Sequence, residues 1–146
     1  MSVEGATLFD RSLERGHLTF PHIPGAHWLL RIPVALILFN QGMMKLPDMA
    51  GQAEANMIPL VLFALSAFAE VAGALALIVG GAIKSWNPDG WISLAGDVLT
   101  RLGGMAIAIV VAGVIFMFYS ASLMTAMDHI LLMTGGLFFL IRGNQT

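Results

Sequence analysis

The stretch from Ile58 to Gly80, IPLVLFALSAFAEVAGALALIVG, contains a single charged side chain, that of Glu70. The stretch is long enough to cross a bilayer, because the hydrocarbon core requires about 20 apolar residues at a rise of about 1.5 Å per residue. An ionised carboxylate at that depth is costly unless it faces protein or water and has a partner. We therefore predict a transmembrane helix, and we expect Glu70 to face the protein interior.

Three more apolar runs of similar length accompany this one, and short links separate most of them. Short links make sequential helices antiparallel neighbours. The sequence therefore predicts an all-α fold, an integral membrane four-helix antiparallel bundle, with spans at about 28–46, 58–80, 98–119 and 123–141. This domain occupies residues 28–143, an N-terminal arm occupies residues 1–27, and a tail occupies residues 144–146.

The composition is that of a membrane protein. Of 146 residues, 58% are hydrophobic and 11% are charged, whereas soluble domains carry roughly 25% charged residues. The net charge of -2 comes without a basic stripe, so we expect a lipid bilayer and no nucleic acid as partner. The chain lacks cysteine, which excludes thiolate metal sites, and the sequence contains no phosphate-binding loop or hydrolase motif.

The basic residues predict the orientation in the membrane. With four spans, one side collects six of them and the other side holds only Lys45. Because cytoplasmic loops are enriched in Lys and Arg, we expect both termini in the cytoplasm and a multi-pass location in a bacterial-type inner membrane. The N-terminus lacks the pattern of a cleaved signal peptide, so the first span is expected to direct insertion.

The expected partner of Glu70 is an arginine. Arg31 and Arg101 each lie about one turn inside the cytoplasmic boundary, and a guanidinium reaches several ångströms inward along its stem. We predict that Glu70 pairs with Arg31, Arg101 or both. The pair could only fix helix register, or Glu70 could carry a proton or anchor a ligand; Glu70 is the one candidate catalytic residue.

A second polar cluster is expected at the outer side, where Lys45 ends the first span and the fourth span opens. Its members are Asn40, Gln41, Lys45, Asp128 and His129. The alternative for Lys45 is that its side chain simply extends to the interface. No second intramembrane histidine accompanies His129, which argues against a bis-histidine haem.

Small residues predict where the helices pack, since membrane helices associate through close backbone approach. The expected contact positions are Gly73, Gly104, Ala108, Ala112 and Gly135.

Surfaces for partners are predicted at the arm and at one loop. Leu8, Phe9 and Leu13 favour a short surface helix that faces lipid or a protein. Trp86 and Trp91 flank a turn; they are typical interface anchors and could also dock a partner. His17, His22 and His27 stand at a spacing that fits no ligand set, so no metal site is expected.

Four features follow one another in residues 28–143. They are Arg31 with an apolar run that closes on Gly42 and Lys45, Glu70 with Gly73 and Gly80, Arg101 with Leu102, and Asp128. In this order they resemble the DoxX family of small four-helix membrane proteins. The chain departs from the pattern in its histidine-bearing arm and its tryptophan-flanked loop.

The resemblance implies a role beside redox enzymes, because the related DoxD subunit belongs to a thiosulfate:quinone oxidoreductase. The leading hypothesis is an accessory, structural subunit of a larger membrane redox or energy-converting complex, with no activity of its own. The alternative is a quinone-interacting subunit of an oxidoreductase, with quinone as the one implied small molecule and no cofactor held by this chain alone. A small proton or solute carrier ranks third, since no inverted repeat is visible.

Overall fold

Every element of the described chain is a helix. The computed structural model describes residues 25–87, 89–119 and 123–144. Its elements in chain order are α1 (His27–Lys45), α2 (Met49–Ala55), α3 (Leu60–Trp86), α4 (Gly90–Phe118), a 3-10 turn (Leu123–Ala126) and α5 (Met127–Arg142).

Three helical segments are long and apolar enough to cross a membrane: α3, α4 and Met124–Arg142, with mean hydropathies of 2.2, 2.2 and 1.6. Helices α1 and α2 form a fourth candidate if the bent pair is one span. The chain is thus a multi-pass membrane protein. Two helices exceed their predicted limits, since α3 reaches Trp86 rather than Gly80 and α4 begins at Gly90 rather than Val98.

Helix α2 occupies part of what the sequence predicted to be a loop between the first two spans. The chain bends by 95° between α1 and α2. Asp48 caps α2, because its side chain accepts a hydrogen bond of 3.0 Å from the Gly51 amide. Gln52 donates to the Met44 carbonyl at 3.1 Å, and Ala53 is buried. These contacts hold α2 across the end of α1.

Glycines bring the long helices together. A Cβ at Gly73 would lie 3.3 Å from the Gly103 carbonyl oxygen, and a Cβ at Gly96 would lie 2.9 Å from the Gly80 carbonyl oxygen. Residues later in α3 therefore contact residues earlier in α4. Helices α4 and α5 approach as closely, since a Cβ at Gly104 would lie 2.6 Å from the Gly136 carbonyl oxygen. Such approach maximises the packing contacts that hold helices together in lipid.

The apolar core lies between α1, α3, α4 and α5. It is formed by Val34, Ala35, Leu38, Ala74, Leu77, Ile107, Val111, Leu132 and Phe139. Of the five small residues expected at helix contacts, Gly73, Gly104, Ala108 and Gly135 are buried. Ala112 is exposed, because it lies one residue past the buried Val111 and turns away from the neighbouring helices.

The glycine contacts can be tested on one helix. Gly104→Ala should lower the free energy of unfolding in bicelles by about 2 kcal/mol, because the added methyl group meets the backbone of α5. Gly113→Ala is the matched control, since nothing lies within 4 Å of a Cβ there. Equal stabilities of the two variants would contradict this packing.

Candidate functional site

Glu70 and Lys45 form an ion pair inside the protein. The Lys45 Nζ donates to Glu70 Oε1 at 2.5 Å. Glu70 is 2% exposed, and the Lys45 side chain is 20% exposed. The ammonium also lies 5.8 Å from the centre of the Phe63 ring. An apolar helix can therefore carry this carboxylate, because a charged donor compensates it.

The expected pairing of Glu70 with Arg31 or Arg101 was wrong. Arg31 donates to the Leu77 carbonyl, which lies seven residues along α3 from Glu70, or about 10 Å at 1.5 Å per residue. Arg101 bonds to Asp97 and to carbonyl groups at the end of α5. Both guanidinium groups thus form their hydrogen bonds far from the carboxylate, and Lys45 takes the place we assigned to them.

A cavity of about 310 Å³ adjoins the ion pair. All four core-forming helices and the α2 region contribute to its wall. Its polar lining comes from Gln41, Lys45, Gln52, Asn56, Ser66, Glu70 and His129, and its apolar lining comes from Met44, Ile58, Phe63, Val111, Val114 and Phe118. Met44, Asn56 and Phe118 are exposed, so they mark its mouth.

The cavity exists because α1 ends early. A Cβ at Gly42 would lie 2.9 Å from the Ala67 carbonyl oxygen, so the last turn of α1 is level with the second and third turns of α3. The chain then bends by 95° into α2, whereas α3 extends about 15 Å from Glu70 to Leu60 at 1.5 Å per residue. The space between Lys45 and the first turns of α3 is therefore only partly filled.

Two buried polar atoms of residues that line the cavity have no hydrogen-bond partner: Glu70 Oε2 and His129 Nδ1. His129 lies close enough to Glu70 for an electrostatic interaction. Its ring packs on Tyr119, with 4.9 Å between the ring centres. Buried polar atoms are nearly always satisfied in folded proteins, so a pair of unsatisfied atoms at one cavity indicates a place for water or a ligand.

The expected outer cluster is only partly assembled. Gln41, Lys45 and His129 line the cavity with Glu70. Asn40 and Asp128 do not; both are exposed, and the Asn40 amide contacts the Met44 sulfur at 3.6 Å. Helical periodicity explains the division, because Asn40 and Asp128 each precede a cavity residue by one position and so turn away from it.

A second polar cluster surrounds Arg31, which is 0% exposed. Besides its bond to the Leu77 carbonyl, the guanidinium donates to Thr100 Oγ1 at 3.2 Å and to Asn144 Oδ1 at 2.6 Å. Its carbon Cζ lies 4.7 Å from the centre of the Phe139 ring. Among the described residues no carboxylate forms a salt bridge with Arg31, so neutral oxygens and an aromatic face carry this charge.

Asn144 joins the ends of three helices. Its amide nitrogen donates to Asp97 Oδ1 at 2.6 Å, and its side-chain Nδ2 donates to the Gly80 carbonyl at 2.9 Å. Gly143 makes the turn possible: its φ is +61°, and a Cβ there would lie 2.8 Å from Arg101 Nε. The sequence suggested a tail at residues 144–146, but Asn144 is buried and belongs to the helical domain.

Several polar residues of these two clusters were not singled out from the sequence. Asp97 had a usable signal, since it stands four residues before Arg101 on one helix and forms the ion pair of 2.7 Å. Thr100, Ser66 and Asn144 had none, because single small polar residues are common in membrane helices and at their ends. Their roles depend on which helices meet.

Among the remaining predicted residues that the structure describes, His27 lies beside the Arg31 cluster: it interacts electrostatically with Arg31, and its buried Nδ1 has no hydrogen-bond partner. Trp86 and Trp91 are 82% and 78% exposed, so both indoles are free to contact lipid or a partner. Leu8, Phe9, Leu13, His17 and His22 lie outside the described residues. His27 opens α1 and packs against Trp28. Within the described ranges no group of histidine and carboxylate side chains could hold a metal ion.

Comparisons of the chain with protein-family models, with curated proteins and with solved structures find no match.

The ion pair can be tested by removing one partner. Lys45→Met leaves the carboxylate buried without a donor and should lower the free energy of unfolding by about 3 kcal/mol. The double variant Lys45→Met, Glu70→Met removes both charges and should recover most of that loss, because paired replacement of a buried ion pair by apolar residues is often neutral. A double variant as unstable as the single one would contradict the pairing.

Proposed function

We propose that the chain is a quinone-interacting subunit of a membrane oxidoreductase, and that the cavity beside Lys45 and Glu70 holds the quinone ring. The observation that carries the proposal is the pair of unsatisfied polar atoms, Glu70 Oε2 and His129 Nδ1, at one cavity of about 310 Å³. The resemblance to the DoxX family, with its quinone-linked DoxD relative, is consistent with this ligand.

The chemistry of the wall suits an amphipathic ring that dissolves in lipid. Phe63, Val111 and Val114 offer apolar surface to a ring, while the ammonium of Lys45 can donate to a carbonyl oxygen. Lys45 uses one of its donors on Glu70 and keeps the others for a ligand. The chain can thus bind and orient a quinone and exchange hydrogen bonds with its oxygens. Electrons would come from a partner subunit.

The proposal includes an architecture and an orientation. The opposed residue order of the α3 and α4 contacts supports an antiparallel four-helix bundle, in which the bent α1 and α2 supply the fourth span. The excess of basic residues on one side favours cytoplasmic termini and an inner-membrane location. In that orientation the mouth of the cavity faces the outer side.

A structural accessory role is the second candidate, and the exposed Trp86 and Trp91 favour it. Large aromatic side chains are frequent anchors of protein interfaces. The small-residue argument for this role is weaker, since Gly73, Gly104, Ala108 and Gly135 are used inside the protein and are not free to receive another subunit.

Filling the cavity should separate the two functions. A photoreactive quinone should label residues of the cavity wall in the full-length protein in nanodiscs, and Ser66→Phe should remove most of that labelling because its ring occupies the same space. Labelled positions are read by mass spectrometry of peptides.

Leu65→Phe is the matched control, since Leu65 is the preceding residue and is exposed on the outside of α3. This variant should keep the labelling pattern of the wild type. Label that falls only on outward-facing residues, or that Ser66→Phe leaves unchanged, would refute the quinone site and leave the structural role.

A further inference from the structure

We infer that the cavity selects a ligand that donates a hydrogen bond, a phenolic hydroxyl such as that of a hydroquinone ring, over one that presents only carbonyl or ether oxygens. The inference rests on the proposed function, because it assigns the chemical form of the molecule that the same cavity binds.

The selecting group is Glu70. Its Oε1 accepts from the Lys45 ammonium at 2.5 Å, a charged hydrogen bond that favours the ionised form of the carboxylate. An ionised carboxylate can only accept hydrogen bonds. Its second oxygen, Oε2, is buried and has no partner. Only a donor can satisfy that atom, and a carbonyl or ether oxygen placed there would meet it with repulsion.

His129 does not oppose this choice. An imidazole nitrogen donates in one tautomer and accepts in the other, so Nδ1 can either accept a hydrogen bond from a ligand or donate one to it. Ser66 does not discriminate between the two kinds of ligand either, because its hydroxyl donates a hydrogen bond to the Phe63 carbonyl at 2.8 Å. Of Glu70, His129 and Ser66, only Glu70 therefore requires a hydrogen-bond donor from the ligand.

Lys45 has the opposite requirement, because its ammonium can only donate and therefore favours a ligand atom that accepts a hydrogen bond. A phenolic oxygen meets both demands, since it donates its proton to Oε2 and offers lone pairs to a neighbouring N–H. A carbonyl oxygen meets only the second. A ligand without a hydroxyl group would leave this buried, charged acceptor unpaired, which costs much binding free energy. Enzymes that hydrogen-bond the hydroxyl group of a substrate reject analogues that lack it for the same reason.

Two probes that differ in one group test the inference: 4-decylphenol and its methyl ether, 4-decylanisole. The full-length protein in nanodiscs is titrated with each by calorimetry, and titrations of empty nanodiscs are subtracted. The wild type should bind the phenol at least about tenfold more tightly than the ether, the difference expected for one hydrogen bond to a charged group.

Glu70→Gln supplies the reciprocal test. If the Gln oxygen accepts from Lys45, its amide N–H group takes the place of Oε2, so a donor replaces the acceptor. The preference for the phenol should fall below about threefold or reverse. If this variant does not fold, the double variant Lys45→Met, Glu70→Gln removes both charges and should show the same loss of preference.

The outcomes distinguish failure of the inference from failure of the proposed function. Equal binding of both probes, abolished by Ser66→Phe but not by Leu65→Phe, would overturn the donor selectivity and leave the quinone-type site standing. A phenol preference that Glu70→Gln leaves unchanged would also overturn the assigned role of Oε2. Binding of neither probe, or binding that Ser66→Phe leaves unaffected, would place no ligand of this type in the cavity and would overturn both proposals.

Discussion

A carboxylate buried among apolar helices has to be compensated, and Lys45 does this for Glu70 from the last turn of α1. The pair fixes the level at which α1 meets α3, because the ammonium reaches the carboxylate only if Gly42 packs against Ala67. It also leaves one oxygen of a carboxylate that lines the cavity without a hydrogen-bond partner. The same interaction therefore sets the helix register and creates the polar end of the proposed binding site.

The two ends of the helical domain compensate their buried charges differently. Around Arg31 the partners are a hydroxyl, an amide oxygen, a carbonyl and the Phe139 ring, and the cluster is closed by Asn144. Hydrogen bonds engage Nη1 and Nη2 of Arg31, whereas its Nε and the Nδ1 of His27, which interacts electrostatically with Arg31, have no hydrogen-bond partner. Around Glu70 an oxygen and an imidazole nitrogen are unused beside an open volume. The adjoining cavity, rather than the unsatisfied atoms alone, is why the functional proposal is made for the Glu70 cluster.

The sequence predicted the helical membrane fold because apolar run length is set by bilayer thickness, a local property of the chain. It also singled out Glu70 as the residue that needs a partner. It failed on the partner, because Lys45 at the end of a span is expected at the interface. The level at which α1 ends beside α3 and the 95° bend that follows place it inside. The same bend brings Gln52 and Asn56 to the cavity. Such contacts depend on how helices meet, which residue spacing does not encode.

The charge state of Glu70 tests the central claim most directly. Infrared spectra of protein with ¹³C-labelled glutamate carboxyl groups, taken as the difference from Glu70→Gln, isolate this side chain in a lipid bilayer. The account predicts the stretch of an ionised carboxylate in the wild type at neutral pH, and the carbonyl stretch of a neutral acid in Lys45→Met, because a lone buried carboxyl group binds a proton. A neutral acid in the wild type, or the same spectrum in both proteins, would contradict it.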